Sequence, residues 1–240
     1  MSITDLVSGL RNSGASWLPA LIVAAAALGV LAFVYIGHEV GEEELVQFDS
    51  SILLAFRDPA DLSRTVGPPW LAESVVEITA LGGYTLIVVL VAAVIGLLLI
   101  NGLRGPALFV LLSVTTGWVT SHLLKSFYDR PRPDLVPQLD LVHTASFPSG
   151  HAMMTTLVYL TLASVIARLT EKTSVRIYVF AVAVAIAMAV GLTRIFLGVH
   201  WPSDVIAGWA LGAAWAALSW LAVSVLRRRR DRERGRLQSE

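Results

Sequence analysis

Long apolar stretches separated by short polar or charged segments run through most of the chain. A helix needs about 20 apolar residues to cross the hydrocarbon core of a bilayer, and six stretches reach or approach that length. In lipid, only helices and closed barrels satisfy their backbone hydrogen bonds, and these runs are too long and uniformly apolar for barrel strands. We therefore predict an all-α polytopic membrane protein with six transmembrane helices. The predicted spans are residues 12–37, 78–103, 105–124, 151–167, 177–193 and 205–226.

The composition supports this prediction. The chain is 55% hydrophobic and 15% charged, with a mean hydropathy of +0.70. Soluble domains carry about 25% charged residues, and disordered chains have far less apolar surface, so both classes are excluded. The sequence contains no cysteine, which excludes disulfides, thiolate nucleophiles and cysteine-ligated metals.

Basic residues are distributed unequally between the loops on the two sides of the membrane. One face carries 12 of the 18 basic residues beside five acids, and the other carries 13 acids beside six basic residues. By the positive-inside rule, both termini lie in the cytoplasm. A cleaved signal peptide is the competing interpretation of residues 1–37, but the apolar run is too long and no small-residue cleavage site precedes His38. We expect one membrane domain over residues 1–226, with residues 38–77 as an extracytoplasmic loop, and a basic cytoplasmic tail over residues 227–240.

Two segments outside the spans carry smaller predictions. The apolar side chains of residues 52–56 are grouped tightly enough for a short helix on the membrane surface, and a packed loop explains them equally well. The tail contains seven arginines, which we expect to set the topology and to contact anionic membrane lipids rather than nucleic acid.

Polar residues at the ends of membrane helices are energetically costly, so the places where they gather are informative. Three such clusters fall at the non-cytoplasmic ends of the predicted spans, far apart in sequence. They comprise residues 125–133 after the third span, 147–151 before the fourth, and 193–204 between the fifth and the sixth. The predicted topology brings all three to one depth on one side of the membrane.

The clusters contain groups that are suited to binding phosphate. Lys125, Arg132 and Arg194 are cations that would repel one another unless an anion joined them, and a guanidinium matches phosphate oxygens in charge and geometry. Ser149 and Gly150 begin a helix, whose first backbone N–H groups and dipole favour an anion. The Ser149 hydroxyl can donate a further hydrogen bond, and Gly150 lets an oxyanion approach the backbone. This set predicts a phosphate site that needs no metal or other cofactor.

Two histidines and a carboxylate complete the predicted chemistry. Asp204 follows His200 at helical spacing and can accept the Nδ1 proton, which leaves Nε2 as a nucleophile. In-line attack on phosphorus would form a phosphohistidine, while the cations and backbone amides hold the equatorial oxygens. His151 would protonate the leaving oxygen and afterwards activate water.

Each cluster by itself has a simpler interpretation. Lys125 and Arg194 could snorkel from helix ends, and the other two motifs could be ordinary helix caps. His151, His200 and Asp204 are also zinc-ligand types, although three nearby cations disfavour Zn²⁺. The joint occurrence of the clusters on one face favours phosphate chemistry.

The three motifs resemble the signature of the type-2 phosphatidic acid phosphatase family, which shares its site with vanadium-dependent haloperoxidases and glucose-6-phosphatase. In order they are Lys125-x6-Arg132-Pro133, Pro148-Ser149-Gly150-His151 and Thr193-Arg194-x5-His200-x3-Asp204. The resemblance covers residues 125–204, and the six-span layout is similar to the membrane-bound branch. It implies phosphate binding by five of these residues and catalysis by three: Lys125, Arg132, Ser149, Gly150 and Arg194, then His200 as nucleophile, His151 as acid and Asp204 as orienting carboxylate. The family usually has Ser where Thr193 stands, and Thr keeps the hydroxyl.

A phosphate site at the outer membrane–water interface predicts a substrate that is anchored by its own lipid tail. We expect an integral membrane phosphatase acting on phosphatidate, phosphatidylglycerophosphate, undecaprenyl diphosphate or a similar lipid, without a preference among them. A lipid phosphotransferase and a non-catalytic carrier of anionic lipid are the alternatives. The expected location is the plasma (inner) membrane, with the site on its periplasmic or extracellular side, and the oligomeric state is left open.

Three further features carry local predictions. His122, one turn before the first cation, lies behind the site or makes an interhelical contact. We interpret Asp129 and Arg130 as a local ion pair in the loop. A stripe of small residues on the last helix predicts close helix packing, within the chain or across a dimer: Gly208, Gly212 and Ala216.

Overall fold

The computed structural model describes residues 18–237, with side chains for residues 19–226, and it is mostly helical. The basic tail over residues 227–240 lies outside the described side chains, so the prediction made for it stays a prediction. In chain order the described elements are α1 (Leu18–Gly41), α2 (Val46–Leu54), β1 (Arg57–Asp58), β2 (Asp61–Thr65), α3 (Pro69–Ala80), α4 (Tyr84–Ile100), α5 (Arg104–Tyr128), α6 (Gly150–Leu169), α7 (Thr173–Phe196) and α8 (Pro202–Leu237). The two strands pair antiparallel as a small hairpin.

The helices that are long and apolar enough to cross a membrane agree well with the predicted spans. Five qualify alone within residues 18–237: most of α1, α5, α6, α7 and the Pro202–Leu226 part of α8. Helices α3 and α4 pass the same test only as a pair, and they are bent by 43° at the break between them. The chain is therefore a multi-pass membrane protein with five spans, or six if the bent pair forms one. The predicted span over residues 78–103 is not one continuous helix, because the helix breaks at residues 81–83, and the predicted count of six spans stays a prediction.

The break lies where Gly82 approaches helices α6 and α7. A Cβ atom on Gly82 would lie 2.5 Å from Thr155 Oγ1 and 2.5 Å from Val190 Cγ1, so only glycine permits this contact. Gly83 is extended (φ −67°, ψ 143°) and caps the start of α4. Hydropathy does not detect this break, because apolar residues continue on both sides of it.

Helix α8 packs against α1, α6 and α7. The two glycines of its stripe face the beginning of α6: a Cβ on Gly208 would lie 2.8 Å from the Ser149 carbonyl oxygen, and one on Gly212 would lie 2.5 Å from the Met153 carbonyl oxygen. The predicted close packing is confirmed, and it occurs within the chain. It holds the beginning of α6 directly against the first turns of α8.

The predicted short helix in the 38–77 segment is present as α2, and it is packed against the bundle. Leu53 is fully buried in a cluster with Val136 and Val205. Arg57, in β1, is only 2% exposed and donates to the Phe196 carbonyl oxygen at the end of α7 (2.8 Å). The segment thus covers the end of the bundle where α5 and α7 finish and α6 and α8 begin, which we call the site end.

Candidate active site

Seven of the eight residues predicted for the site lie on or beside four helix ends that meet at the site end, and Arg132 lies in the loop that follows α5. Helix α5 finishes just after Lys125, α6 begins at Gly150, and α7 finishes just after Arg194. A direct hydrogen bond joins the second and third motifs, because the Ser149 backbone N–H donates to the Asp204 carbonyl oxygen (3.0 Å). Segments that are distant in sequence are therefore in contact here.

A cavity of about 740 Å³ opens at this point. Its polar end is lined by five of the eight predicted residues: Lys125, Arg132, Gly150, His151 and His200. The other three, Ser149, Arg194 and Asp204, are fully buried. The structure thus brings the predicted nucleophile, the predicted acid and two of the cations to one cavity.

Two of the cations are bonded to neutral backbone carbonyl groups. Lys125 Nζ donates to the Ala145 oxygen at 2.6 Å. Arg132 donates to the oxygens of Thr144 at 2.8 Å and Val199 at 2.5 Å. Carbonyl dipoles do not neutralise a full positive charge, so this end of the cavity is electrostatically suited to an anion.

Arg194 is fully buried and incompletely hydrogen bonded. Its Nη1 donates to Thr79 Oγ1 (3.0 Å) and to Asp140 Oδ2 (2.8 Å), whereas Nε and Nη2 have no partner among the described residues. Buried donors without acceptors cost free energy, and phosphate oxygens would supply the missing acceptors. Burial and the nearby Arg194 charge lower the pKa of Arg132 to about 10, so Arg132 remains protonated at neutral pH.

The beginning of α6 provides backbone donors beside these cations. Ser149 is the N-cap, and its Oγ accepts a hydrogen bond from the Ala152 N–H (3.4 Å). The first N–H groups of a helix have no intrahelical acceptor and attract anions. A Cβ on Gly150 would lie 3.4 Å from Lys125 Cε, so the glycine keeps the space beside that cation open. His151 follows as the second residue of the helix. We call Lys125, Arg132, Ser149, Gly150 and Arg194 the cation cradle.

His200 is 2% exposed and is held at both ring nitrogens. Its Nδ1 lies 3.3 Å from Asp204 Oδ2, and its Nε2 lies 3.3 Å from Arg132 Nη1. Because arginine can only donate, Nε2 is the acceptor and the proton lies on Nδ1. Burial lowers the pKa of His200 to about 3, although Asp204 opposes this effect. The ring is therefore neutral at neutral pH, with the Nε2 lone pair facing the cradle, as a nucleophile requires.

Beyond its polar end, the cavity continues as an apolar groove between α4 and α5. The groove is lined by Ile87, Val88, Val91 and Ile95 on α4 and by Leu111, Val114 and Trp118 on α5. At a rise of about 1.5 Å per residue, the α5 stripe from Leu111 to Lys125 is about 21 Å long. Val88 and Leu111 are 46% and 47% exposed, so the groove is open along its side. Its shape fits an alkyl chain whose headgroup reaches the cradle.

Comparison with known proteins identifies the family. Residues 106–228 match the profile of the PAP2 superfamily, which is about half of the chain. The chain belongs to the PAP2 superfamily. The matched region includes all eight predicted site residues, and the family resemblance drawn from the three motifs is confirmed.

Relatives of this PAP2 protein are phosphatases. Phosphatidylglycerophosphatase B of Bacillus subtilis is 34% identical over 147 residues, which cover 60% of this chain and 71% of that protein. Undecaprenyl-diphosphatase of Sulfolobus acidocaldarius is 36% identical over 80 residues, which cover 33% of each protein. The crystal structure of a transmembrane PAP2-type phosphatidylglycerolphosphate phosphatase from Bacillus subtilis matches with a TM-score of 0.70 at 28% identity, covering 85% of this chain and 94% of that one. These likenesses support a lipid phosphatase.

One sequence interpretation in this PAP2 protein was wrong. Asp129 and Arg130 do not form a local pair, because Asp129 ends α5 in the left-handed conformation (φ 41°). Arg130 instead reaches Asp204 Oδ1 (2.6 Å) and Asp49 Oδ2 (2.8 Å). The Arg-Pro repeat over residues 130–133 was the available signal, since it presents two arginines rather than one beside the site.

Three further residues at the site end were missed. Ser146 is fully buried, donates to Asp204 and lies 3.4 Å from His200 Nδ1. Asp140 and Asp49 each pair with an arginine. The loop over residues 129–149 has no periodic pattern that identifies Ser146 or Asp140, and Asp49 is one of several acids in its segment.

Two residues that the sequence left open are placed by the structure. His122 is exposed and lines the groove, with Nδ1 3.1 Å from the Trp118 carbonyl oxygen and the two rings 4.2 Å apart. The Thr193 hydroxyl donates to the Val190 carbonyl oxygen in its own helix (2.6 Å). The exchange of Ser for Thr at this position therefore removes no described contact with the cradle.

Proposed function

We propose that this protein removes phosphate from a lipid phosphate or diphosphate through a metal-independent phosphohistidine intermediate on His200. The observation that carries the proposal is one continuous cavity that joins a polar end lined by cations and histidines to an open apolar groove. A soluble phosphate ester would need only the first part, whereas a lipid phosphate needs both.

The first chemical step transfers the phosphoryl group to the protein. The three cations and the amides at the start of α6 hold the non-bridging oxygens. His200 Nε2 attacks phosphorus, so that a P–N bond forms as the P–O bond to the lipid breaks and its electron pair leaves with the lipid oxygen. His151 gives its proton to that oxygen, and Asp204 stabilises the positive charge on the His200 ring.

Water completes the reaction. The neutral His151 takes a proton from water, and the water oxygen attacks phosphorus as the P–N bond breaks. Inorganic phosphate then leaves, and His200 is again neutral with its proton on Nδ1. The developing charge on phosphate is stabilised by permanent cations and backbone donors, which is the reason for proposing a route without a metal.

The same proposal includes the orientation of the chain. Loop charges favour both termini in the cytoplasm, with the site end facing outward from the plasma membrane. The natural absence of cysteine allows single-cysteine labelling with an impermeant maleimide on intact cells. We expect Ser63→Cys, in the exposed hairpin, to be labelled and Ser174→Cys, at the start of α7, to be protected. Labelling of Ser174→Cys with protection of Ser63→Cys would show that the proposed topology is inverted.

The proposed substrate class is supported by the groove and by the relatives, which include a phosphatidylglycerophosphatase and an undecaprenyl-diphosphatase. Phosphatidate, phosphatidylglycerophosphate and undecaprenyl diphosphate are therefore the lipids to compare. The test measures phosphate release by the full-length protein in detergent with a chelator present, with mass analysis of the lipid products.

We expect at least one lipid to be dephosphorylated, with acid-labile phosphate on the wild-type protein. His200→Ala should lose turnover by about 10³-fold or more, and His38→Ala, an exposed histidine at the end of α1, should be unchanged. Activity that the chelator abolishes would overturn the metal-free route. A phosphorylated acceptor would indicate a phosphotransferase, and lipid binding without product would indicate a carrier.

A further inference from the structure

A second set of charged side chains, largely shielded from solvent, lies directly behind the His200–Asp204 pair. Arg130 Nη1 donates to Asp204 Oδ1 (2.6 Å), and its Nη2 donates to Asp49 Oδ2 (2.8 Å). The Ser203 backbone N–H donates to Asp49 Oδ1 (2.8 Å), and the Ser203 hydroxyl donates to Asp49 Oδ2 (2.6 Å). We call Asp49, Arg130 and Ser203 the bridge.

We propose that Arg130 and Asp49 are positioning residues for the nucleophile, and that the short helix α2 is part of the catalytic apparatus because it carries Asp49. The inference rests on the proposed function, since it assigns a role within the same reaction. The bridge acts through Asp204 and does not contact the phosphoryl group.

The two carboxylate oxygens of Asp204 have different hydrogen-bond partners. Oδ2 receives the Trp201 backbone N–H (2.9 Å), the Ser146 hydroxyl and His200 Nδ1. Oδ1 receives Arg130. The arginine therefore fixes the plane of the carboxylate with one oxygen turned toward the imidazole, and this orientation sets the direction of Nε2.

Arg130 is itself held from several sides, as a positioning group must be. Its guanidinium carbon lies 5.5 Å from the centre of the Trp201 ring, and its backbone oxygen accepts the Ser146 N–H (2.8 Å). Its Nη1 also donates to Ser203 Oγ (2.8 Å). With Asp49 on the other nitrogen, the side chain has one arrangement.

Asp49 contributes in two ways. Its charge balances Arg130, so that one arginine, whose side chain is 12% exposed, lies between two fully buried carboxylates. Its Oδ1 also accepts an N–H from the first turn of α8, as an N-cap supplied by another helix would. Both contacts fix the turn that carries His200. Asp49 lies outside residues 106–228, the part of the chain that matches the family profile.

A purely structural role predicts a different outcome. If the bridge only stabilises the fold, variants that remain folded should keep both turnover and anion binding. If it positions the nucleophile, folded variants should lose kcat while the cradle still binds phosphate, because no member of the bridge belongs to the cradle.

The experiment compares Arg130→Lys, Arg130→Gln and Asp49→Asn with wild type and with Arg64→Gln, an exposed arginine on the hairpin. The full-length proteins are assayed in detergent for kcat, KM, inhibition by inorganic phosphate and thermal unfolding. We expect kcat to fall about 10²-fold for Arg130→Gln and Asp49→Asn, as for a misplaced reacting group. The phosphate inhibition constant should stay unchanged, Arg130→Lys should retain more turnover than Arg130→Gln, and Arg64→Gln should match wild type.

The double variant Asp49→Asn with Arg130→Gln adds a second readout. Because both residues act through one carboxylate, its loss of kcat should be smaller than the product of the two single losses. If the Arg130 and Asp49 variants do not accumulate as folded protein, Ser203→Ala, which removes one hydroxyl, replaces them in the experiment. We again expect a lower kcat with an unchanged phosphate inhibition constant.

Wild-type kcat in a folded bridge variant, or equal losses of kcat and phosphate affinity, would overturn the inference. The proposed function fails in a different way, through a wild-type protein without phosphatase activity or a His200→Ala variant that keeps it.

Discussion

The His200–Asp204 turn and the cation cradle lie side by side, but their polar groups are satisfied to very different degrees. Both oxygens of Asp204 are hydrogen bonded, and both ring nitrogens of His200 have a partner. In the cradle, Arg194 keeps two buried nitrogens without a partner among the described residues. Lys125 is bonded to a neutral carbonyl oxygen. The polar groups of the His200–Asp204 turn all have partners, whereas the cation cradle keeps hydrogen-bond donors that are not used within the described part of the chain.

This difference agrees with the roles proposed for the two regions. A nucleophile is effective when its orientation is fixed before the substrate arrives, and the buried hydrogen bonds of the turn would fix His200 in its proposed role. An anion site must instead exchange partners on binding, and weak carbonyl contacts or unused donors make that exchange favourable. Changes in the turn should therefore lower kcat, and changes in the cradle should also weaken anion binding.

The largest effect is expected for Asp204→Asn. An amide cannot serve as the carboxylate does toward both Arg130 and His200 Nδ1, so the favoured tautomer and the stabilisation of the charged ring are lost. We expect kcat to fall by about 10³- to 10⁴-fold, as for the orienting aspartate of a catalytic triad. Steady-state kinetics check this, with Asp61→Asn on the exposed hairpin as the matched control. A variant that changes only KM would contradict the comparison.

A smaller but still large effect is expected for Arg194→Lys. Lysine keeps the charge but loses the guanidinium fork and the unpartnered Nε and Nη2 donors. We expect kcat/KM to fall about 10²-fold, as for loss of one oxyanion donor, and inhibition by inorganic phosphate to weaken with it. The control is Arg64→Lys. If Arg194→Lys loses turnover while inhibition by inorganic phosphate is unchanged, Arg194 does not bind the anion and instead helps to position His200.

The sequence predicts the cradle and the turn better than it predicts what supports them. Hydropathy locates helices because lipid requires long apolar runs, and spacing within motifs such as His200 to Asp204 is fixed by the helix itself. Neither hydropathy nor motif spacing predicts the bend at Gly82, because the bend depends on contact with Thr155 and Val190, which are far away in sequence.

The supporting charges were missed for the same reason. Arg130 has an acidic neighbour in sequence, but its partners lie 81 and 74 residues away. Asp49 looks like one more acid in a polar loop until α2 is packed against the start of α8. The residues predicted to react with the substrate lie within sequence motifs, whereas the residues that orient them can come from any segment that folds nearby.

The groove offers a test of where lipid recognition ends and phosphate recognition begins. Val88 and Val89 are neighbours on α4 with similar exposure, 46% and 60%, but only Val88 lines the groove. We expect Val88→Trp to lower kcat/KM about 10-fold for long-chain lipid phosphates, as an overfilled pocket would, and to spare a short-chain soluble ester. Val89→Trp should leave both substrates unaffected. Equal losses for both substrates in Val88→Trp would show that the groove and the cradle are not separate.

The smallest effect is expected at Asp140, where an acid faces the cradle. Its side chain is 40% exposed and bonds Arg194 Nη1 at 2.8 Å, so it competes with an incoming anion for one donor of that guanidinium. A partly exposed ion pair contributes about 0.2–1 kcal/mol, so we expect Asp140→Asn to tighten inhibition by inorganic phosphate about 1.4- to 5-fold. Asp134→Asn, an exposed acid in the same loop, is the matched control. Weaker phosphate inhibition in Asp140→Asn would mean that the carboxylate orients Arg194 for the anion rather than competing with it, and the cradle would then be preorganised in the same way as the turn.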